Sequence, residues 1–234
     1  MLILGKKKLQ RFAQNLEFPH VVQAGYEDVF GKDHALKGNW NRDFFKNDNP
    51  IVLELGCGKG EYTVGLASRF PERNFIGVDI KGSRIWYGAK AVEEKGMTNA
   101  GFLRTRIDFI ASFFAENEIS EIWITFPDPQ PQKNRKRKRL TGPMFTDRYQ
   151  TFLKPEGTVN LKTDSEFFMD FTLEQIEENQ WETIELTRDL YGKDEELLPE
   201  TRELLNIRTH YESIWLAQGL NIHYVKYRLR KHGG

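Results

Sequence analysis

A short apolar run, Ile51-Val52-Leu53-Glu54-Leu55, stops on a glycine-rich loop, Gly56-Cys57-Gly58-Lys59-Gly60, and a helical pattern follows at once. Five residues are too few for a buried helix, and the glycines end the run, so it reads as a buried strand. Tyr62, Leu66 and Phe70 recur at spacing four and mark one helix face, which Pro71 ends. The unit then repeats. Asn74–Ile80 is a second strand, and Ser83–Lys95 a second helix with Ser83 as N-cap and Gly96 at its end. Ala100–Arg106 is a third strand, with a short helix over 109–116. Glu121–Phe126 is a fourth strand, Met144–Leu153 a helix, Lys154–Gly157 a turn, and Thr158–Thr163 a fifth strand. An amphipathic helix capped by Ser165 runs to Gln180, and two late strands, Trp181–Leu186 and Asn221–Leu229, pair as an antiparallel edge. Strands alternating with helices need crossover connections. The fold class is therefore α/β, Rossmann-like: a central, mostly parallel sheet with an antiparallel edge and helices on both faces.

The chain has 234 residues, enough for one large domain with its own core. Residues 1–48 show no sustained period and read as an N-terminal arm, a candidate flexible segment with room for one short helix; residues 49–234 form the main domain. A single cysteine, Cys57, excludes an internal disulfide and a thiolate metal cluster, and the five histidines are scattered, so no metal is expected. No apolar stretch is long enough to span a bilayer and no secretory leader is visible, so the expected compartment is the cytoplasm, with no membrane partner. The assembly expected is a monomer or a homodimer.

The glycine loop narrows the chemistry. A phosphate loop needs Gly-Lys-Ser/Thr, but Gly60 follows Lys59; a dinucleotide fingerprint needs G-x-G-x-x-G, but the spacing here is G-x-G-x-G. Gly56, Gly58 and Gly60 still allow backbone to approach a ligand beyond the strand ends. Glu54, on the loop-proximal end of the strand, repels a phosphate and suits a cationic group. Asp79 ends the second strand, 19 residues past Gly60, where a carboxylate accepts two ribose hydroxyls. An acid for a cation and an acid for a ribose together suit S-adenosyl-L-methionine. Asp108, after the third strand, is placed for the adenine.

The charge is distributed unevenly. Lys plus Arg equals Asp plus Glu, a net of zero, which alone argues against a nucleic-acid partner. Yet residues 133–139 hold six cations in seven positions, including Lys133, Arg135, Lys136 and Arg137. Further cations sit near the termini (Lys6, Lys7, Lys8, Arg11; Lys226, Arg228, Arg230, Lys231), while acids gather over 174–185 and at Asp194, Glu195, Glu196 and Glu200. So dense a run repels itself until a polyanion neutralises it. Just before it, Phe126-Pro127-Asp128-Pro129-Gln130-Pro131 is stiffened by three prolines. They hold Asp128 toward the cofactor; its plainer reading is an Asx-Pro turn. Thr209 and Glu212 have the spacing of a capping box, so they mark a helix start.

Taken together, Glu54–Gly60, Gly77-Val78-Asp79, Phe126–Pro129 with the basic run to Leu140, Leu161–Asp164 and Thr209-His210-Tyr211-Glu212 resemble the bacterial tRNA (guanine-N7)-methyltransferases, over residues 50 to the end. The resemblance implies a class I methyltransferase fold and methyl transfer from S-adenosyl-L-methionine to a guanine N7 in the tRNA variable loop. It assigns Glu54, Asp79, Asp108 and the three loop glycines to the cofactor, and Asp128 to catalysis beside that cofactor. It assigns Asp164, Thr209, Tyr211 and Glu212, with the cations of the basic run, to tRNA. The sequence departs from the family at Gln130 and Gln132, where Trp and Lys are usual, with Lys133 adjacent to substitute for the missing Lys. Two other classes compete. A methyltransferase on another RNA or a protein would lack the Phe-Pro-Asp-Pro segment; a non-catalytic tRNA-binding module would bind in a salt-sensitive way without turnover.

Overall fold

The computed structural model describes residues 2–192, 197–204 and 207–229, with side chains from residue 7 onward, His210 excepted. Asp194, Glu195 and Glu196, Arg230 and Lys231, and the side chain of Lys6 lie outside the described residues. The chain divides into two compact units, residues 1–115 and 116–234.

The first unit runs α1 (Leu2–Glu17), β1 (Val21–Gln23), α2 (Tyr26–Val29), β2 (Ile51–Leu55), α3 (Glu61–Arg69), β3 (Asn74–Asp79), α4 (Gly82–Lys95) and β4 (Ala100–Arg104). Its strands lie in the order β1-β4-β3-β2, every pair parallel. Every residue of β2 and all of β3 up to Val78 are buried, which is why these strands read as unbroken apolar runs. Gly96 ends α4 at φ 61°, as expected. Ser83 does not cap it: the helix begins a residue earlier, at Gly82, and the residue before it is Lys81.

Residues 1–48 hold more regular structure than one short helix. β1 joins the sheet against β4, and α1 runs for sixteen residues. It packs on α4 through polar groups. The buried Asn15 donates to the Gly82 carbonyl at 2.8 Å, and Trp86 Nε1 donates to Gln14 Oε1 at 2.7 Å. A Cβ on Gly82 would meet the Phe12 ring at 2.7 Å, so the missing side chain lets the helices approach. A docking face made of Phe12, Asn15 and Gln14 leaves no hydrophobic period to read. Trp40, fully buried, donates from Nε1 to the Phe113 carbonyl at 2.8 Å and fixes the segment before β2.

The second unit runs β5 (Ile119–Thr125), α5 (Pro143–Gln150), β6 (Leu153–Thr163), α6 (Glu166–Glu178), β7 (Glu182–Thr187), α7 (Pro199–Leu204), α8 (His210–Ala217) and β8 (His223–Arg228). β5 and β6 are parallel; β8 pairs antiparallel with both β6 and β7 and lies between them. The residues read as a turn, Lys154–Gly157, are part of β6. Ile119 pairs with Leu153 and Glu121 with Thr158, so they form a bulge within one long strand. Ser165 caps α6, accepting from the Phe168 amide at 3.3 Å. Trp123 stacks on Tyr224 and Trp181 on Tyr227 within the core. No helix among the described residues is long and apolar enough to cross a membrane.

Candidate active site

In the first unit the loop after β2 is a chain of left-handed turns. Gly56, Gly58 and Gly60 have φ of 80°, 56° and 72°, conformations that L side chains rarely adopt. Their surroundings differ. A Cβ on Gly56 would meet nothing within 4 Å, and one on Gly58 only a carbonyl at 4.0 Å, so backbone there borders open space. A Cβ on Gly60 would lie 2.6 Å from the Phe102 ring, and one on Gly77 2.8 Å from it. Gly88 is crowded by the same ring. The first two glycines shape a ligand face; the other three make room for one phenylalanine beneath it.

Both strand-end acids are held by neutral donors. Glu54, buried at the end of β2, accepts at Oε2 from the Thr63 amide at 2.8 Å and from the Thr63 hydroxyl. Asp79 accepts from the Gly58 amide at 3.0 Å and the Lys81 amide at 2.7 Å, which ties the glycine loop to the end of β3. Burial, with the charges of Glu54 and Asp79, pushes the Cys57 thiol well above its ordinary value, so Cys57 is inert packing within the loop. Asp108 lies further along, in a 3₁₀ turn after β4, paired with Arg106 at 3.3 Å. Past the ends of β3 and β4 opens a cavity of about 280 Å³, lined by Ile80, Thr105, Arg106 and Phe109 and, from the N-terminal segment, by Gln23 and Tyr26. These lining residues were not legible in the sequence: Gln23 and Tyr26 arrive through β1 and α2, which show no pattern.

In the second unit β5 and β6 are parallel, so the loops after them share one edge of the sheet. Asp128, exposed on the proline loop, forms an Asx turn: its Oδ1 accepts from the Gln130 amide at 3.1 Å. Oδ2 has no hydrogen-bond partner among the described residues. Phe126 and Gln130 flank it at φ 48° and 46°, rare for residues with side chains. Lys133–Lys138 wind as 3₁₀ turns with every side chain exposed. Arg139 differs. It is buried, stacks on Phe171 and Phe167 at 4.4 and 4.7 Å, and donates from Nε to the Gln130 carbonyl at 3.2 Å. It anchors the proline loop, and the other five cations remain for a partner.

Asp164 follows β6, half-buried, with no hydrogen-bond partner among the described residues. Thr209 and Glu212 make the capping box of α8. Glu212 does more. It is fully buried, 2.5 Å from the equally buried Lys162 of β6, and accepts from the Tyr191 hydroxyl at 2.6 Å. Its other oxygen accepts from the Thr209 amide at 3.2 Å. Burial pushes the Lys162 ammonium down, against the Glu212 carboxylate that holds it up; burial and Glu212 push the Tyr191 phenol well up. Glu212 thus fastens α8 to the end of β6, while Tyr211 beside it is exposed. The sequence signalled the cap but not Lys162, fifty residues upstream. Among the described residues no group of three or more His, Cys, Asp or Glu is placed to hold a metal.

A family described as "Putative methyltransferase" matches residues 48–225. A tRNA (guanine-N(7)-)-methyltransferase of Bacteroides thetaiotaomicron is 50% identical over 98% of this chain and 88% of its own length. The chain belongs to the tRNA (guanine-N(7)-)-methyltransferase family. The relative from Christiangramia forsetii is 47% identical over 97% of this chain and 99% of its own. Among solved structures, the 16S rRNA methyltransferase KamB superposes with a TM-score of 0.60 at 14% identity, covering 80% of this chain and 91% of that one. That likeness shows the Rossmann-like class I methyltransferase fold. The chain is a methyltransferase.

Proposed function

We propose that this enzyme transfers the methyl group of S-adenosyl-L-methionine to N7 of a guanine in the variable loop of tRNA. The observation that carries the donor half is the glycine loop: open space over Gly56 and Gly58, bordered by two carboxylates held by neutral donors. Glu54 then meets the cationic amino end of the donor, Asp79 the ribose hydroxyls, and the cavity beside Ile80 takes the adenine, with Ile80 and Phe109 against its faces. The bound donor supplies an electrophilic methyl group on sulfur.

Guanine N7 carries its own lone pair, so its attack needs no base. The protein's part is to hold the ring in line and to stabilise the positive charge that develops on it. Asp128 is suited to this: Oδ1 is fixed by the Gln130 amide and Oδ2 is left to accept from the Watson–Crick edge. Gripping that edge leaves N7 free to attack the methyl, once the base has left its stack. Asp164 supplies a second carboxylate at the same sheet edge, and Lys133, Arg135, Lys136 and Arg137 meet backbone phosphates. Thr209 and Glu212 serve by position, holding α8 and the exposed Tyr211 in place.

The test is transfer of labelled methyl to unmodified tRNA with the product nucleoside identified. 7-Methylguanosine is expected. Asp128→Asn should lower kcat about 100-fold or more, as loss of a transition-state charge partner does. Turnover within a few-fold of wild type removes Asp128 from the mechanism. Binding of tRNA without any transfer replaces the enzyme by a binding module.

A further inference from the structure

A second basic surface lies on the first unit. Lys7, Lys8 and Arg11 stand three and four residues apart on α1, so they share a face. Arg11 places its guanidinium 4.5 Å from the Tyr87 ring centre and 5.0 Å from that of Trp86, both on α4. Lys59 of the glycine loop reaches the same Tyr87 ring at 5.7 Å. Tyr87 keeps 41% of its surface exposed. Arg84, three residues before it, is exposed as well. Among the described residues none of Lys7, Lys8, Arg11, Lys59 or Arg84 has a carboxylate within ion-pair distance.

A cation over an exposed ring contributes about 0.5–1 kcal/mol, and like charges gathered on one surface raise its potential for an anionic partner. Acids were available, since the chain is neutral overall; they lie instead on exposed positions of α6, such as Glu174, Glu177 and Glu178. Cations spaced along two helices around an open aromatic face fit a polyanion that also carries flat rings. A phosphodiester chain with unpaired bases has both features.

We propose that the α1–α4 surface, centred on Arg11 and Tyr87, is a second contact for tRNA, gripping phosphates beside the donor loop. The inference rests on tRNA as the substrate. It adds that the first unit, and not only the basic run, holds the RNA. Lys59 makes the patch continuous with the glycine loop, so phosphates bound there lie next to the donor.

The test is the full chain carrying Lys7→Gln, Lys8→Gln and Arg84→Gln, none of which belongs to the cofactor or catalytic set. Binding of tRNA is measured across a salt series, together with donor affinity, thermal midpoint and steady-state kinetics. Each phosphate contact removed should lower the slope of log K against log salt by about 0.7–0.9. The expected result is a slope reduced by about 2 and a KM for tRNA raised at least tenfold. Donor affinity and kcat at saturating tRNA should stay within twofold. An unchanged slope and KM overturn the proposal. If the triple variant does not fold, Arg84→Gln alone should lower the slope by about 0.8, and no change there overturns it equally. Failure of the wild type to methylate tRNA would instead strike the functional reading on which the proposal stands.

Discussion

The molecule holds carboxylates in two ways. In the first unit, Glu54 and Asp79 receive hydrogen bonds from amides and a hydroxyl of Thr63, Gly58 and Lys81. In the second, Glu212 receives an ammonium and a phenol. Neutral donors stabilise an anion without cancelling it, and the charge stays available to a ligand. An ammonium cancels it. A buried ion pair of this kind contributes little net stability against an apolar pair of the same shape, but it is severely destabilising when one partner is lost. Carboxylates of one chemical type therefore do opposite work. Those at the glycine loop are tied to amides and a hydroxyl beside the ligand face; that of α8 is a fastener.

The largest expected effect tests the fastener. Lys162→Met leaves the Glu212 carboxylate buried without its cation and should cost about 3–5 kcal/mol in urea unfolding. Adding Glu212→Gln should restore most of it, because glutamine still accepts from Tyr191 and caps α8 while methionine fills the space. Methyl transfer should return with stability, to within about tenfold of wild type. A folded double variant that stays inactive shows instead that Glu212 touches the guanine, and the contrast between the two kinds of carboxylate collapses.

The glycine-loop acids give a smaller effect of a different kind. Asp79→Asn removes a charge and one acceptor, and its amide group faces a backbone N–H that needs an acceptor. Hydrogen bonds to charged groups are worth about 1.5–3 kcal/mol, so donor affinity should fall about 10- to 100-fold by calorimetry. Binding of tRNA without the donor should not change. Equal loss of both affinities would show that Asp79 acts on the fold rather than on the donor.

What the sequence displayed was local. Ile51–Leu55 is buried on both faces, and its continuous apolar run betrays it; Gly96 ends a helix where only a residue tolerant of positive φ is comfortable. The loop glycines, the strand-end acids and the proline loop are likewise written in consecutive residues. The structure adds what distance hides. Lys162 finds Glu212 across fifty positions, Arg139 leaves its basic run to brace Gln130, and α1 docks through Asn15 and Gln14 instead of a hydrophobic stripe. Each of these is a polar contact between remote segments, and periodicity carries no record of such contacts. The cavity beside Ile80 was hidden for the same reason, since part of its lining comes from Gln23 and Tyr26.

The smallest effect separates a local signal that held from one that did not. Ser165 and Ser83 both precede an apolar helical pattern and look alike in sequence. Ser165 sits with extended backbone, and its hydroxyl accepts from the Phe168 amide, so it satisfies a donor that the helix leaves open. Ser83 is the second residue of α4, past the cap position held by Lys81, and its hydroxyl makes no hydrogen bond among the described residues. The difference comes from α1: the close approach of Phe12 needs residue 82 as a glycine, and Asn15 donates to that residue's carbonyl, so α4 begins against α1 one residue before the serine. Ser165→Ala should therefore cost about 1 kcal/mol. Ser83→Ala should be neutral or stabilise by a few tenths, since alanine is the better helix interior residue. Equal losses in thermal or urea unfolding would mean that Ser83 caps α4 in solution, and that α1 does not set where α4 begins.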